Sequence, residues 1–330
     1  MRFNKYYIVF FLLLISVFSC TDKNPLSALN DMLFDRDTNN KVENWSDVKS
    51  FVYILQNINI DELIKTKFDL VIMDYSEDGT DAKAFTSSEI YSLKNSEFGE
   101  RFVISYISIG EAEDYRYYWR DEWNTNAPSW LGDENPDWEG NYKVKYWETN
   151  WQKILLGNDL SSNTPPAPDS YFGKIISAGF DGVYLDIIDA YEYWEDKGVT
   201  NAKELMIDFV ALIADKCRVN NKNFGIFPQN SEELVGDNRY LNIITGLGRE
   251  EVHYINFNVP RSIDEINGIK TYLDKIVEAG KLVLVTDYCD NSLYIDAAYI
   301  DSINSGYLEY CTTRELDTIT INNGYQPKSN

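Results

Sequence analysis

Carboxylates dominate the side chains of this chain that can do chemistry. Fifty-three Asp and Glu residues stand against 30 Lys and Arg and a single histidine, His253. His253 reads best as a satisfied structural histidine. That leaves neither Ser-His-Asp hydrolysis nor a multi-histidine zinc site to build on. Two carboxylates across a cleft are enough for glycoside hydrolysis. One protonates the leaving oxygen while the other attacks the anomeric carbon or activates water. The carboxylates placed for such work follow short apolar runs: Asp74, Glu111, Asp186, Glu250 and Asp287, accompanied by the amides Gln56, Gln229 and Asn230.

These runs are the elements that must position them. They cover Phe51 to Leu55, Phe68 to Met73, Arg101 to Ile109, Gly182 to Leu185, Phe224 to Phe227, Leu241 to Thr245, Lys281 to Val285 and Tyr307 to Tyr310. Near-continuous apolar runs of this length read as strands buried on both faces of a parallel sheet. Helical periodicity falls between them, clearest over Asn201 to Arg218 and Ser262 to Ala279. The alternation predicts α/β architecture, a single (β/α)8 TIM barrel. No GxGxxG or P-loop motif follows the first run, which disfavours a doubly wound nucleotide-binding sheet. In a barrel the strand ends share one face, where active sites lie.

One interval is too long for a single crossover helix. Between Glu111 and Asp186 lie Trp119, Trp123, Trp130, Trp138, Trp147 and Trp151, six of the chain's eight tryptophans. This predicts a long Trp-rich β3–α3 insertion whose rings mostly pack it down, with two facing the cleft. The acidic stretch DENPDWE, Asp133 to Glu139, reads as a solvated turn rather than a calcium loop. Neither metal nor cofactor is expected.

The first residues are read as targeting sequence. Arg2 and Lys5 precede an apolar stretch from Tyr6 to Phe18, too short to span a bilayer and suited to a signal peptide over residues 1–19. Cys20, after Val17, Phe18 and Ser19, resembles a lipobox cysteine and is the expected lipidation site. Residues 20–47 are then a lipid-anchored linker and 48–330 the barrel domain. The expected location is that of an exported, membrane-anchored lipoprotein of a Gram-negative-type bacterium, on the periplasmic or cell-surface face. Of the remaining cysteines, Cys289 and Cys311 are the better disulfide pair, and Cys217 reads as a buried helical residue. Losing Arg2 and Lys5 takes the formal charge from 30 − 53 = −23 to 28 − 53 = −25. Such a surface repels nucleic acid and attracts cationic partners.

Five stretches, VIMDYSEDG, YISIGEAEDYRYYW, GFDGVYLDIIDAY, IFPQNSEEL and GLGREEVHY, resemble glycoside hydrolase family 114 in order, from about residue 50 to about 317. That family comprises endo-α-1,4-polygalactosaminidase-like enzymes on a (β/α)8 fold. The resemblance implies Asp186 as nucleophile or base and Glu250 as general acid, with Asp189 and Glu251 as neighbouring alternatives. It implies substrate contacts from Asp74, Tyr75, Glu111, Asp114, Tyr115, Asp189, Gln229, Asn230, Glu232, Asp287 and Tyr288. It also implies a polysaccharide substrate that, when partly deacetylated, is a cationic amino-sugar polymer. A monomer touching the membrane through its lipid only is expected. The alternatives are a non-catalytic glycan-binding lipoprotein on the same barrel and a glycosidase for another α-glycan.

Overall fold

The structure is a computed structural model that describes residues 42–97, 99–322 and 324–325. The stretch expected to be a signal peptide, Cys20 and the part of the expected linker up to residue 41 lie outside the described residues. Among the described residues, no helix is long and apolar enough to cross a membrane.

Among the described residues, eight parallel strands follow one another around the centre. They are β1 (Phe51–Ile54), β2 (Leu70–Asp74), β3 (Phe102–Ser108), β4 (Gly182–Asp186), β5 (Gly225–Pro228), β6 (Gly246–Glu250), β7 (Leu282–Tyr288) and β8 (Leu308–Thr312). The first five pair in chain order, and so do the last three. A parallel bridge from Gln229 to Gly248 joins the two groups. On the far side, the N–H groups of Leu55 and Gln56 donate to the carbonyl of Leu316, just beyond β8 (2.8 and 3.1 Å). Phe51 and Tyr310 pack there with ring centres 5.6 Å apart. The strands thus follow the order of the expected (β/α)8 barrel. Their apolar runs are buried because neighbouring strands cover both edges while helices cover the outer face.

Seven strands lie within a few residues of their predicted runs, and the sixth does not. Leu241 to Thr245 falls mostly on a helix, Asn238–Ile243, whose first turn is capped by Asp237 accepting from the Arg239 N–H at 2.7 Å. The strand is the next segment, GLGRE. Its glycines carry no apolar signal because the packing leaves no room for a side chain. A Cβ on Gly246 would lie 2.6 Å from the carbonyl oxygen of Leu282, and one on Gly248 would lie 1.9 Å from Oη of Tyr184. Gly248→Ala is therefore expected to displace Tyr184 and cost about 1–3 kcal/mol, as overpacking does. Chemical denaturation of the variant checks this, and unchanged stability would refute the packing argument.

The insertion after β3 is a three-stranded antiparallel sheet of Glu111–Glu113, Asn141–Val144 and Leu131–Glu134. Its rings contact in sequence: Trp119 with Trp123 (5.3 Å), Trp123 with Trp130 (5.0 Å) and Trp130 with Trp151 (5.0 Å). Trp151 is fully buried and donates to the carbonyl of Ile109 at 3.0 Å. Packing thus accounts for most of them, and Trp138 stands out at 61% exposure. Cys217, Cys289 and Cys311 are buried free thiols. Cys289 and Cys311 are neighbours beside Tyr254 and Tyr299, but no disulfide joins them.

Candidate active site

Asp186 is the last residue of β4 and Glu250 the last of β6. Both are half-buried at the carboxyl ends of their strands. Tyr106 of β3 donates its hydroxyl to Oδ2 of Asp186 at 2.6 Å, and the N–H of Ile187 donates to Oδ1 at 2.7 Å. Tyr288, ending β7, donates to Oε1 of Glu250. The side chains of Gln229 and Asn230 also bond Glu250, and Oδ1 of Asn230 accepts its backbone N–H at 3.1 Å. Below the pair, Tyr53 and Tyr184 lie with ring centres 5.1 Å apart. Tyr53 donates to Gln229 at 3.3 Å.

The backbone here is held in sparsely populated conformations. Ile187, Asn230, Ser231 and Glu251 have φ of 59°, 59°, 52° and 57°. They follow directly after β4, β5 and β6. A β-branched residue in the left-handed region is uncommon, and such residues cost about 1–3 kcal/mol each. Gly110 makes room for the turn at Ile187, since a Cβ there would lie 2.1 Å from the Ile187 carbonyl oxygen.

Burial pushes the Asp186 carboxyl up to about 7, with the charge of Glu250 as the second cause, against the hydrogen bonds from Tyr106 and Ile187. Burial also raises Glu250, opposed by its bonds from Tyr288, Gln229 and Asn230. Two carboxyls near enough to sense each other's charge lose their protons in two steps that belong to the pair. Between those steps one is protonated and the other ionised, the state two-carboxylate hydrolysis requires.

A model of glycoside hydrolase family GH114 matches residues 35–326. The chain belongs to family GH114. An uncharacterized protein of Methanocaldococcus jannaschii is 38% identical, covering 94% of this chain and 89% of the relative. One from Thermotoga maritima is 33% identical over 86% and 85%. Among solved structures, the glycoside hydrolase domain of PelA from Pseudomonas aeruginosa superposes with a TM-score of 0.62 at 15% identity, covering 83% of this chain and 98% of that one. Amy13B of Eubacterium rectale reaches 0.50 at 9% identity, over 79% and 64%. These two likenesses carry the fold alone. Family membership makes the chain a glycoside hydrolase.

The remaining candidates of this GH114 chain divide by strand geometry. Gln229, Asn230 and Tyr288 touch the pair. Glu232 reaches it through Arg249, whose Nε lies 2.8 Å away and whose NH1 donates to Asn230 at 3.2 Å. Asp189 is exposed at the start of the helix Ala190–Asp196. Glu111 is fully buried and spent on the insertion: it pairs with Lys143 at 2.5 Å and accepts from Asn135 (2.8 Å) and Asn141 (3.3 Å). Asp74 is buried in a fork with Arg116, at 3.0 and 2.7 Å, and Arg116 also binds Glu113 at 2.7 Å. Tyr75 is buried against Tyr171. Asp114 and Tyr115 are exposed, and Tyr115 donates to Glu113 at 2.5 Å.

Asp287 is a correction. Successive strand residues point to opposite faces. Tyr288 turns inward to Glu250, so Asp287 turns outward. It is fully buried and accepts from Nδ1 of His253 at 2.6 Å and from the N–H groups of His253 and Tyr254, both at 3.0 Å. Sequence reasoning missed Tyr53, Tyr106, Tyr184 and Arg249. The tyrosines leave a trace: polar-tipped rings at inward positions of otherwise apolar strands, with Tyr184 two residues before Asp186.

Proposed function

We propose that this glycoside hydrolase cleaves α-linked galactosamine- or hexosamine-rich polysaccharide, with Asp186 as nucleophile or base and Glu250 as general acid. The observation that carries the reading is the electrostatically coupled pair at the ends of β4 and β6. Glu250 accepts from Tyr288, Gln229 and Asn230, and Asp186 from Tyr106 and Ile187, so each can hold the ionised form while the other carries the shared proton. Turnover in the proposed roles runs through the arrangement with the proton on Glu250. The pH profile has the same bell shape for either arrangement.

The resemblance to polygalactosaminidase-like enzymes and the charge support this substrate class. A surface of formal charge −23 attracts a polymer of ammonium sugars. We further propose that the chain is exported and anchored through Cys20, which would place the barrel where such polymers are met.

Incubating residues 21–330 with a panel of amino-sugar polymers, and reading products by mass spectrometry, tests the activity. On a partly deacetylated galactosamine polymer, KM should rise with salt, since screening shortens to about 3 Å at 1 M. A salt-independent KM would remove the charge argument. The alkaline limb of kcat/KM should lie near pH 7, where the pair loses its last proton. Undiminished activity at pH 9 would contradict the shared proton.

A further inference from the structure

We infer that His253 is a positioning residue of the hydrolytic site, acting through the end of β7 on Glu250. The inference rests on the reading of Glu250 as a working carboxylate. His253 is buried outside the strand ring, on the turn that leaves β6. Both ring nitrogens meet carboxylates: Nδ1 lies 2.6 Å from Asp287 and Nε2 lies 3.1 Å from Asp301. An ionised carboxylate only accepts, so both nitrogens carry protons and the ring is an imidazolium. A neutral ring would set a lone pair against one of them.

The groups around the ring come from four elements. Asp287 belongs to β7. Glu309 belongs to β8, 3.8 Å from Nδ1, and accepts from Ser302 at 2.5 Å. Asp301 lies on the helix Ser292–Ser305 and pairs with Lys270 of the helix Ile263–Glu278 at 2.7 Å. Cys289 and Cys311 are adjacent, and Cys311 donates to Glu309 at 3.8 Å. Burial and the charge of Asp287 push Glu309 above the usual carboxylate range, against the charge of His253. His253 and Lys270 are the cations that face Asp287, Asp301 and Glu309 here.

His253, Asp287 and Glu309 offer donor atoms within 4.8 Å of one another, which raises the question of a metal ion. The 2.6 Å separation of Nδ1 and Oδ2 is that of a charge-assisted hydrogen bond, with a proton between the two atoms.

The clamp is connected to the cleft. Asp287 holds the turn by the ring of His253 and by the N–H groups of His253 and Tyr254. The next residue, Tyr288, donates to Glu250, and the N–H of Glu251 donates to the carbonyl of Thr286 at 2.8 Å. Between the clamp and Glu250 sits Glu251 at φ 57°, a conformation that persists only when its surroundings enforce it. Against burial, which lowers it, the carboxylates of Asp287, Glu309 and Asp301 raise the ring's pKa from 6.5 to about 9. A raised folded-state value means the stabilisation is complete below about pH 6.5 and is lost as pH rises through about 9.

Because the chain has one histidine, the ring ¹⁵N resonances of untagged protein need no assignment. Both nitrogens should be protonated at pH 7.5 and titrate near pH 9. A pyridine-type nitrogen at neutral pH, or stoichiometric metal in the purified protein, would overturn the clamp. On a partly deacetylated α-1,4-galactosamine polymer, His253→Gln should lower kcat about tenfold with KM nearly unchanged, the signature of a group acting on the chemical step. Tyr288→Phe should do the same. Both should move the acidic limb of the pH profile upward, because Glu250 loses a donor. The double variant should be no worse than the poorer single. Losses that multiply would refute action through Tyr288.

Should His253→Gln not fold, Asp301→Asn serves instead. It should lower the histidine titration and the pH of alkaline unfolding together, and a histidine titration left unmoved would overturn the inference. Failure of the catalytic reading looks different: Asp186→Asn and Glu250→Gln would then retain turnover, whatever His253 does.

Discussion

Asp186→Asn and Glu250→Gln should each lose at least about 10³-fold in kcat while the fold and glycan binding survive. An amide at Asp186 neither attacks an anomeric carbon nor draws a proton from water. One at Glu250 has no proton to give. The two act as a unit, so the double variant should be little worse than either single one. Leaving-group chemistry separates the roles. On an aryl glycoside with a good leaving group, Glu250→Gln should recover activity because protonation of the oxygen is no longer needed, whereas Asp186→Asn should not. Unchanged turnover in both single variants would remove the assignment.

The same substitution carries a stability consequence of opposite sign. The Asp186 pKa is raised from 3.8 to about 7, so the folded state favours the proton. Its contribution is complete below about pH 4 and disappears as pH rises through about 7. Above that, the folded protein holds a carboxylate its site disfavours. Asp186→Asn should therefore be more stable than the wild type at pH 8, by on the order of 1–3 kcal/mol after allowance for a partly exposed cleft. The gain should vanish at pH 4. Thermal melts at the two pH values check both statements.

Arg116→Ala should have the largest effect on stability. The guanidinium is buried between Asp74 and Glu113, binding the first through both NH1 and NH2 and the second through Nε. It also lies 4.9 Å from the ring centre of Tyr115 and 5.6 Å from that of Tyr171. Removing it leaves two buried carboxylates without their cation, which costs about 3–5 kcal/mol. For a domain of this size that is a fall of roughly 10 °C in Tm. Arg116→Lys should recover little, because a point charge cannot reproduce a fork shared by two carboxylates. A Tm within about 2 °C of the wild type for the alanine variant would show the pair to be dispensable. The salt bridge ties the end of β2 to the segment after Glu111–Glu113, so its loss should also loosen that segment at Tyr115.

Much of this architecture was legible along the chain. Apolar runs buried on both faces announce themselves by composition, and seven of the eight strands lie close to their runs. The positions of Asp186 and Glu250, one closing its apolar run and the other following the sixth, were visible for the same reason. What escaped was set by neighbours distant in sequence. GLGRE is a strand only because β5 and β7 flank it, with Tyr184 filling the space at Gly248 and Phe227 and Leu282 that at Gly246. Asp287 and Tyr288 are adjacent letters with the same apparent claim on the cleft. The pleat sends one inward to Glu250 and the other outward to His253. Asp74 and Glu111 look like free carboxylates until folding brings Arg116 and Lys143 against them. Local pattern therefore determined which segments become strands and which residues stand at their ends. Tertiary structure alone decided which of those carboxylates stay available for chemistry, because a charge taken out of water must find its partner wherever the fold supplies one.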